Sequence, residues 1–313
     1  MTARRSVLVT GGSGFIGRHM VRRLAGDGHS VTSLQRSAQA PEGAGEILRV
    51  SDLSSAGARN ALRGRRFDWL IHLAGAGTHP ANRDVETLFR VNAEVTRVLA
   101  ELAAGWPARA VFMAGSGSEY APSAESLPLV ETSPLEAHKL YAASKAAGTL
   151  SAVAVAAATG LPLVAGRLFG VYGAGEAPHR LLPSLVSRLR LGERVALSAG
   201  RQRRDFVHVD DIVEAVLSVL SALERSPTAQ ILNIGSGNPA SVRHFAETVA
   251  DVLGADRGLL GFGDLPVRPD EVAYFSGDPS RLRAFAGWKS RVDLLTGIER
   301  SLVRMASGER TAC

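Results

Sequence analysis

Val7-Leu8-Val9, set between Ser6 and Thr10, is an unbroken apolar run of the kind that a strand buried on both faces requires. The period then changes. Over residues 15–27 the apolar positions Ile16, Met20, Val21 and Leu24 recur at helical spacing. Short apolar runs follow at 31–34, 47–50, 69–73, 110–114 and 163–168, and helical patterns lie between them, the longest at 85–104 and 138–159. This alternation predicts an α/β fold in which right-handed crossovers build a parallel, doubly wound sheet.

The second half is more mixed. Residues 178–191, 210–223 and 242–253 read as helices and 230–234 as a strand, whereas 259–278 is rich in Gly and Pro without a clear period. The division expected is a dinucleotide-binding unit at 1–170 plus about 205–238. A smaller mixed lobe at about 171–204 and 239–313 would lie over the carboxyl edge of the sheet.

Composition narrows the class. The 313 residues are 45% hydrophobic and 21% charged, ordinary values for a globular chain, and no stretch reads as a bilayer span. The one cysteine, Cys313, is terminal, so no intrachain disulfide forms; a reducing, cytoplasmic setting is expected. The net charge of +6 is almost all arginine, the lysines being Lys139, Lys145 and Lys289. Those arginines are scattered rather than clustered with aromatics, which argues against a nucleic-acid surface and leaves an anionic small ligand. The histidines at 72, 79, 138, 179 and 208 show no metal-ligand spacing.

Two groups of residues carry chemistry. Gly11, Gly14 and Gly17, three apart, lie with Ser13, Phe15 and Ile16 between the first strand and the first helix. They permit a tight turn, close approach of backbone N–H groups to a pyrophosphate, and close helix–sheet packing. Further on, Tyr141 and Lys145 stand four apart and share one helix face. A lysine cation beside a phenol favours the phenolate; a shift of three units would take about 4 kcal/mol and bring tyrosine into the range of general acid–base work.

The three-and-three glycine spacing, the Tyr-x-x-x-Lys pair and the Ser-rich turn at 115–121 together resemble the extended short-chain dehydrogenase/reductases, in the branch of nucleotide-sugar epimerases, dehydratases and reductases. The similarity runs nearly end to end, through Arg204-Asp205-Phe206-Val207-His208-Val209-Asp210-Asp211, Asn233-Ile234-Gly235 and Arg268-Pro269-Asp270-Glu271. In Arg167-Leu168-Phe169-Gly170-Val171-Tyr172-Gly173 the family's usual Pro and Asn are replaced by Leu168 and Gly170. The resemblance implies a bound NAD or NADP. It places Asp52 and Leu53 at the adenine, Leu73, Ala74 and Gly75 under the nicotinamide side, Asn92 bridging that turn, and Val171 beside the cofactor. It implies Ser116 as the hydroxyl on the reacting oxygen, with Ser118 next in line, Tyr141 as proton donor, and Lys145 tuning Tyr141 and holding the ribose. Arg204 and Arg268 would meet a substrate diphosphate, Arg180 the nucleotide, and Thr78 and His79 the sugar. A homodimer through the two long helices is expected in the same way.

Cofactor choice turns on the end of the second strand, where NAD-binding chains carry an acidic residue for the ribose. Leu34-Gln35-Arg36-Ser37 has none, and Arg36 suits a 2′-phosphate, so NADP (as NADPH) is favoured. Dehydratases of the family carry Asp or Glu just after the catalytic hydroxyl, where this chain has Gly117 and Ser118. The expectation is therefore NADPH-dependent reduction of a keto group, at C4, on a nucleotide-linked 6-deoxyhexose. The alternatives are an NAD-dependent 4-epimerase and, in another class, a dinucleotide sensor without turnover.

Overall fold

The computed structural model describes residues 4–37, 39–79, 84–123, 126–269 and 271–307; Asp270 and Cys313 lie outside them. The apolar runs of the first half become six strands: β1 (Ser6–Thr10), β2 (Ser30–Gln35), β3 (Glu46–Arg49), β4 (Trp69–His72), β5 (Ala110–Ser116) and β6 (Leu163–Leu168). A seventh, β7 (Ala229–Ile234), joins them, and the order across the sheet is β7-β6-β5-β4-β1-β2-β3 with every pairing parallel. The order reverses between β1 and β4, which opens a crevice at the carboxyl ends of those strands. Strand β5 runs on to Ser116, two residues past the apolar run, and so sets that serine at the strand's carboxyl end.

Alternation along the strands feeds two cores. Val7 and Val9 face α1 (Phe15–Gly26) and α7 (Val209–Arg225) together with Met20, Leu24, Ile212 and Val216. Leu8, Leu70 and Val111 face the other way, toward α4 (Val95–Ala104) and α5 (Leu140–Thr159), with Leu99, Ala152 and Ala156. Each such Val, Leu, Ile or Met side chain taken fully from water stabilises the fold by roughly 1.5–3 kcal/mol. On the same side as α4 and α5 lie α2 (Ser55–Ala61), whose Ser54 accepts from the Gly57 N–H, and α3 (Val85–Phe89), capped by Asp84.

The smaller lobe has its own core, built by α6 (Leu181–Arg190), α8 (Val242–Leu253) and α10 (Leu294–Ala306) around Leu185, Phe245 and Ile298. A short helix, α9 (Ser280–Ala286), returns Leu282 to the sheet core. Carboxylates fasten the lobe to the sheet. Asp205 accepts from the Ser236 and Gly237 amides and from Ser236 Oγ and Ser276 Oγ. Asp211 accepts from Ser290 Oγ at 2.6 Å and from the Arg291 and Val292 amides. Asp210 pairs with Arg304 at 2.7 Å. The most family-like stretch, 204–211, is thus largely structural.

Three expectations are corrected. The segment 85–104 is not one helix: a π-helical turn, Arg90–Glu94, separates α3 from α4, because Asn92 turns inward to bond Ala76 and Ser144. The segment 259–278 contains two short strands, Leu260–Phe262 and Tyr274–Phe275, paired with Val195–Leu197 and Arg203–Arg204. Helix α5 does meet the length and apolarity of a bilayer span; its alanine-rich face is packed on β5 and α4, as a core helix of an α/β layer would be.

Candidate active site

The glycine loop is a close approach between two turns. Gly11 has φ +70°, and a Cβ there would lie 2.7 Å from the Ala74 nitrogen in the turn after β4. A Cβ on Gly17 would sit 2.0 Å from the Gly11 oxygen, so the first turn of α1 lies directly on the loop. Helix α1 starts at Gly14 with no side-chain cap and no acidic residue in its first turn. Its leading N–H groups are therefore available to an anion, and the loop that holds Ser13, Phe15 and Ile16 fits a pyrophosphate.

Beneath this loop the β4 turn is held by a chain of buried polar groups. His72 lies 2.6 Å from Thr10 Oγ1 through Nδ1 and 3.0 Å from Thr96 Oγ1 through Nε2. Burial, and then the Lys145 charge, push His72 down to about 3, so it stays neutral. Asn92, from the π turn, accepts from the Ala76 N–H at 2.8 Å and donates to the Ala76 carbonyl at 3.1 Å and to Ser144 Oγ at 3.0 Å. Ser144 in turn donates to the Tyr141 carbonyl at 2.9 Å. The turn carrying Leu73, Ala74 and Gly75 is thereby tied to the helix that carries Tyr141.

Lys145 is buried, and its ammonium donates to the Ala114 carbonyl of β5, two residues before Ser116. Burial pushes its pKa below the usual lysine value, and the Glu119 charge partly offsets this. Ser116 caps a 3₁₀ turn at Gly117–Glu119: its Oγ accepts from the Ser118 N–H at 3.1 Å. That bond occupies a lone pair of Oγ and leaves its hydrogen for an oxygen outside the turn. Tyr141 is half-buried one helical turn before Lys145. Ser118 is exposed, with its backbone already committed to the cap.

The remaining predicted residues fall into two groups. Of those expected at the adenosine, Arg36 is exposed beyond β2, while Gln35 is buried and closes the loop by donating to the Ser37 and Gln39 carbonyls. Asp52 is half-exposed, accepts from Ser54, and faces Arg90 at 3.4 Å; Leu53 beside it is partly buried. Arg90 Nε is buried without a hydrogen-bond partner, a detail the sequence did not signal. Val171 is partly buried at the start of a short strand.

Of those expected to meet the substrate, His79 makes an edge contact with His179 at a ring-centroid distance of 4.4 Å, which brings the exposed Thr78–His79 segment against the loop before α6. Arg180 is exposed and 3.6 Å from the buried Glu176. Arg204 is bonded to Glu271 and to the Val272 carbonyl at 2.7 Å, so its guanidinium is already partnered, while Arg268 is exposed nearby in sequence. Among the described residues, no group of three or more His, Cys, Asp or Glu side chains is placed to hold a metal ion.

Sequence reasoning missed the densest part of the site. Glu119, fully buried, accepts from the Ser116 N–H at 2.8 Å, Thr149 Oγ1 at 2.9 Å and Arg167 Nε at 2.7 Å. Two signals pointed to it: the Ser-x-x-Glu spacing of a capping box, and an arginine inside an apolar strand.

The sequence profile of the NAD dependent epimerase/dehydratase family matches residues 7–235. The chain belongs to that family. This family member is 33% identical over 305 residues to the dTDP-6-deoxy-L-talose 4-dehydrogenase (NAD(P)(+)) of Kitasatospora kifunensis, covering 93% of the chain and 92% of the relative. It is 30% identical over 308 residues to a dTDP-glucose 4,6-dehydratase of Streptomyces griseus, covering 93% and 91%. Among solved structures it superposes on MoeE5 in complex with UDP-glucuronic acid and NAD with a TM-score of 0.84 at 28% identity, covering 96% of this chain and 99% of that one. The Rossmann-like fold and the assignment to nucleotide-sugar enzymes that use a dinucleotide stand on these matches.

Proposed function

We propose that this family member reduces a keto group, at C4, on a nucleotide-linked 6-deoxyhexose, with NADPH as reductant and a homodimer as the working form. The observation that carries the reading is the end of β2, where an exposed Arg36 follows the buried Gln35 and no carboxylate stands to meet ribose hydroxyls. The extended similarity to a dTDP-6-deoxy-L-talose 4-dehydrogenase supports redox chemistry at that carbon. The turn after β5 weighs against dehydration. Of the two positions where dehydratases carry an acid, Gly117 has no room for one, since a Cβ there would meet the Phe169 ring at 2.9 Å, and Ser118 is a hydroxyl.

When bound, NADPH supplies the hydride. Ser116 donates its hydroxyl hydrogen to the reacting oxygen and stabilises the charge that builds there. Tyr141 gives that oxygen its proton, and the buried Lys145 ammonium favours the phenolate left behind. The Asn92–Ser144 link holds the helix bearing Tyr141 to the turn beneath the cofactor. Arg268 would meet the diphosphate and Arg180 the nucleotide, while Arg204 would meet the diphosphate only by exchanging its bond to Glu271; Thr78 and His79 would meet the sugar. On α5, Leu140 and Leu150 are 46% and 48% exposed, apolar area that pairing of two copies through this helix would cover.

The test is oxidation of NADPH, beside NADH, on addition of a dTDP- or GDP-linked 4-keto-6-deoxyhexose, with Tyr141→Phe as control. Loss of turnover by about 10²–10⁴-fold in that variant, at unchanged melting temperature, is expected. No oxidation of either cofactor, with interconversion of C4 epimers by enzyme holding NAD, would replace the reductase reading by the epimerase one.

A further inference from the structure

The mechanism above uses Ser116 and Lys145 but not the buried carboxylate that touches the one and acts on the other. Glu119 Oε1 receives two hydrogen bonds, from the Ser116 N–H at 2.8 Å and from Thr149 Oγ1 at 2.9 Å. The first donor is the end of β5. The second lies on α5, one turn beyond Lys145. A single oxygen therefore joins the strand end that presents the serine to the helix that presents Tyr141 and Lys145.

The other oxygen is fixed independently. Arg167, 1% exposed and next to last in β6, donates to Oε2 at 2.7 Å and lies 4.3 Å above the Tyr120 ring. Tyr120 donates to Asn233 Oδ1 at 2.7 Å. The carboxylate is thus clamped from three elements. Gly115 makes the space for it: a Cβ there would lie 2.6 Å from Oε1 and displace it. An acceptor oxygen held this rigidly fixes the direction of the Ser116 N–H, and with it the backbone from which the Ser116 hydroxyl projects.

We propose that Glu119 is a positioning residue for the reaction, acting through Ser116: its clamped carboxylate sets the serine against the helix that bears the proton donor. The proposal rests on Ser116 being the hydroxyl that meets the reacting oxygen. It holds for reduction and epimerisation alike, since both need that oxygen held. A hydroxyl misplaced by about 1 Å costs on the order of 10²-fold in rate, so loosening the clamp reads in turnover rather than in binding.

The experiment is a double-mutant cycle on the full chain, using whichever reaction the wild-type enzyme performs on a sugar nucleotide, net reduction or C4 epimerisation. Failure of the reductase reading then leaves the test intact. Glu119→Gln keeps one acceptor oxygen but gives up the charge. Its kcat is expected to fall about 10- to 100-fold with KM for sugar nucleotide and cofactor within about twofold, and the same change in a Ser116→Ala background to cost no more than about threefold. Equal losses in both backgrounds, or a kcat that does not change, would overturn the proposal. Should Glu119→Gln not fold, Thr149→Val takes its place. It withdraws one of the bonds to Oε1 and leaves the ion pair, and its kcat loss of about threefold or more must again shrink when Ser116 is absent.

Discussion

Gly148→Ala tests how closely α5 must sit on the π turn. A Cβ at residue 148 would lie 2.0 Å from the Asn92 carbonyl oxygen and 3.1 Å from its carbon. An ordinary contact begins at 3.4 Å, so the helix would have to retreat by about 1.4 Å (3.4 minus 2.0), and both obstructing atoms are backbone. Overpacking of that kind costs roughly 1–3 kcal/mol. The alanine is otherwise the better helix former by about 1 kcal/mol, which offsets part of the loss. The retreat also moves Tyr141 and Lys145, two turns and one turn upstream on the same helix, and stretches the Asn92–Ser144 bond of 3.0 Å. A displacement near 1 Å at the reacting groups lowers turnover by about 10²-fold. The assay is thermal or urea unfolding alongside kcat on the sugar nucleotide. The comparison is Gly26→Ala at the end of α1, where an added Cβ meets nothing within 4 Å and activity should not change. A Gly148→Ala enzyme with wild-type midpoint and wild-type kcat would refute the argument that this contact sets the catalytic helix.

Two further outcomes follow from the same structure. Arg36→Ala should raise KM for NADPH by about 10-fold or more and leave KM for NADH within about twofold, since a charge-assisted bond to a 2′-phosphate is worth about 1.5–3 kcal/mol; equal effects on both cofactors would show that Arg36 does not read that phosphate. The pH dependence of stability has opposed parts. Burial, helped by the Lys145 charge, holds His72 down to about 3, and burial, against the Asp210 charge, holds His208 down to about 4, both below the unfolded 6.5, so their contribution is full above pH 6.5 and is lost as pH falls. Burial, against the nearby Arg180, pushes Glu176 up to about 7 from 4.5, so its contribution is full below pH 4.5 and is lost as pH rises through 7. Replacing Glu176 by Gln removes the second part, and urea unfolding should then show an additional loss of about 2–3 kcal/mol between pH 7.5 and 5. Parallel pH curves for wild type and Glu176→Gln would mean that the folded protein keeps this carboxylate ionised.

The first half of the chain could be read because its information is local. A buried parallel strand must be apolar throughout, a crossover helix must show a 3.6 period, and the glycines at 11, 14 and 17 announce where backbones meet. The π turn at Arg90–Glu94 could not be read in that way. Its cause is Asn92 bonding Ala76 and Ser144, sixteen and fifty-two residues away, with Gly148 leaving space for it. The two-residue strands at 203–204 and 274–275 were equally hidden, since two residues carry no period and their pairing spans seventy-one positions. In the site, Tyr141 and Lys145 announce themselves by spacing on one helix. Glu119 and Arg167 each leave a local trace, a capping-box spacing and a charge inside an apolar strand, but nothing in either segment says that the two pair across forty-eight residues. The arginines carried over from the resemblance fare differently again: Arg204 turns out to be engaged by Glu271, which no inspection of 204–211 would reveal.

The carboxylates that join the lobes have a consequence for how the molecule comes apart. Asp205 takes donors from 236, 237, 276 and 277, and Asp211 from 290 to 292, while β7 (229–234) completes the main sheet only after the chain has already made one excursion into the smaller lobe. A fragment ending near 238 would retain every strand of the sheet yet lose the Ser290, Arg291 and Val292 donors that Asp211 uses, and lose Leu282 and Trp288 from the sheet core, leaving apolar surface open in the portion meant to stand alone. The two lobes are accordingly one cooperative unit: they should melt in a single transition, and neither can be excised, swapped or grafted without carrying the other's hydrogen-bond donors along.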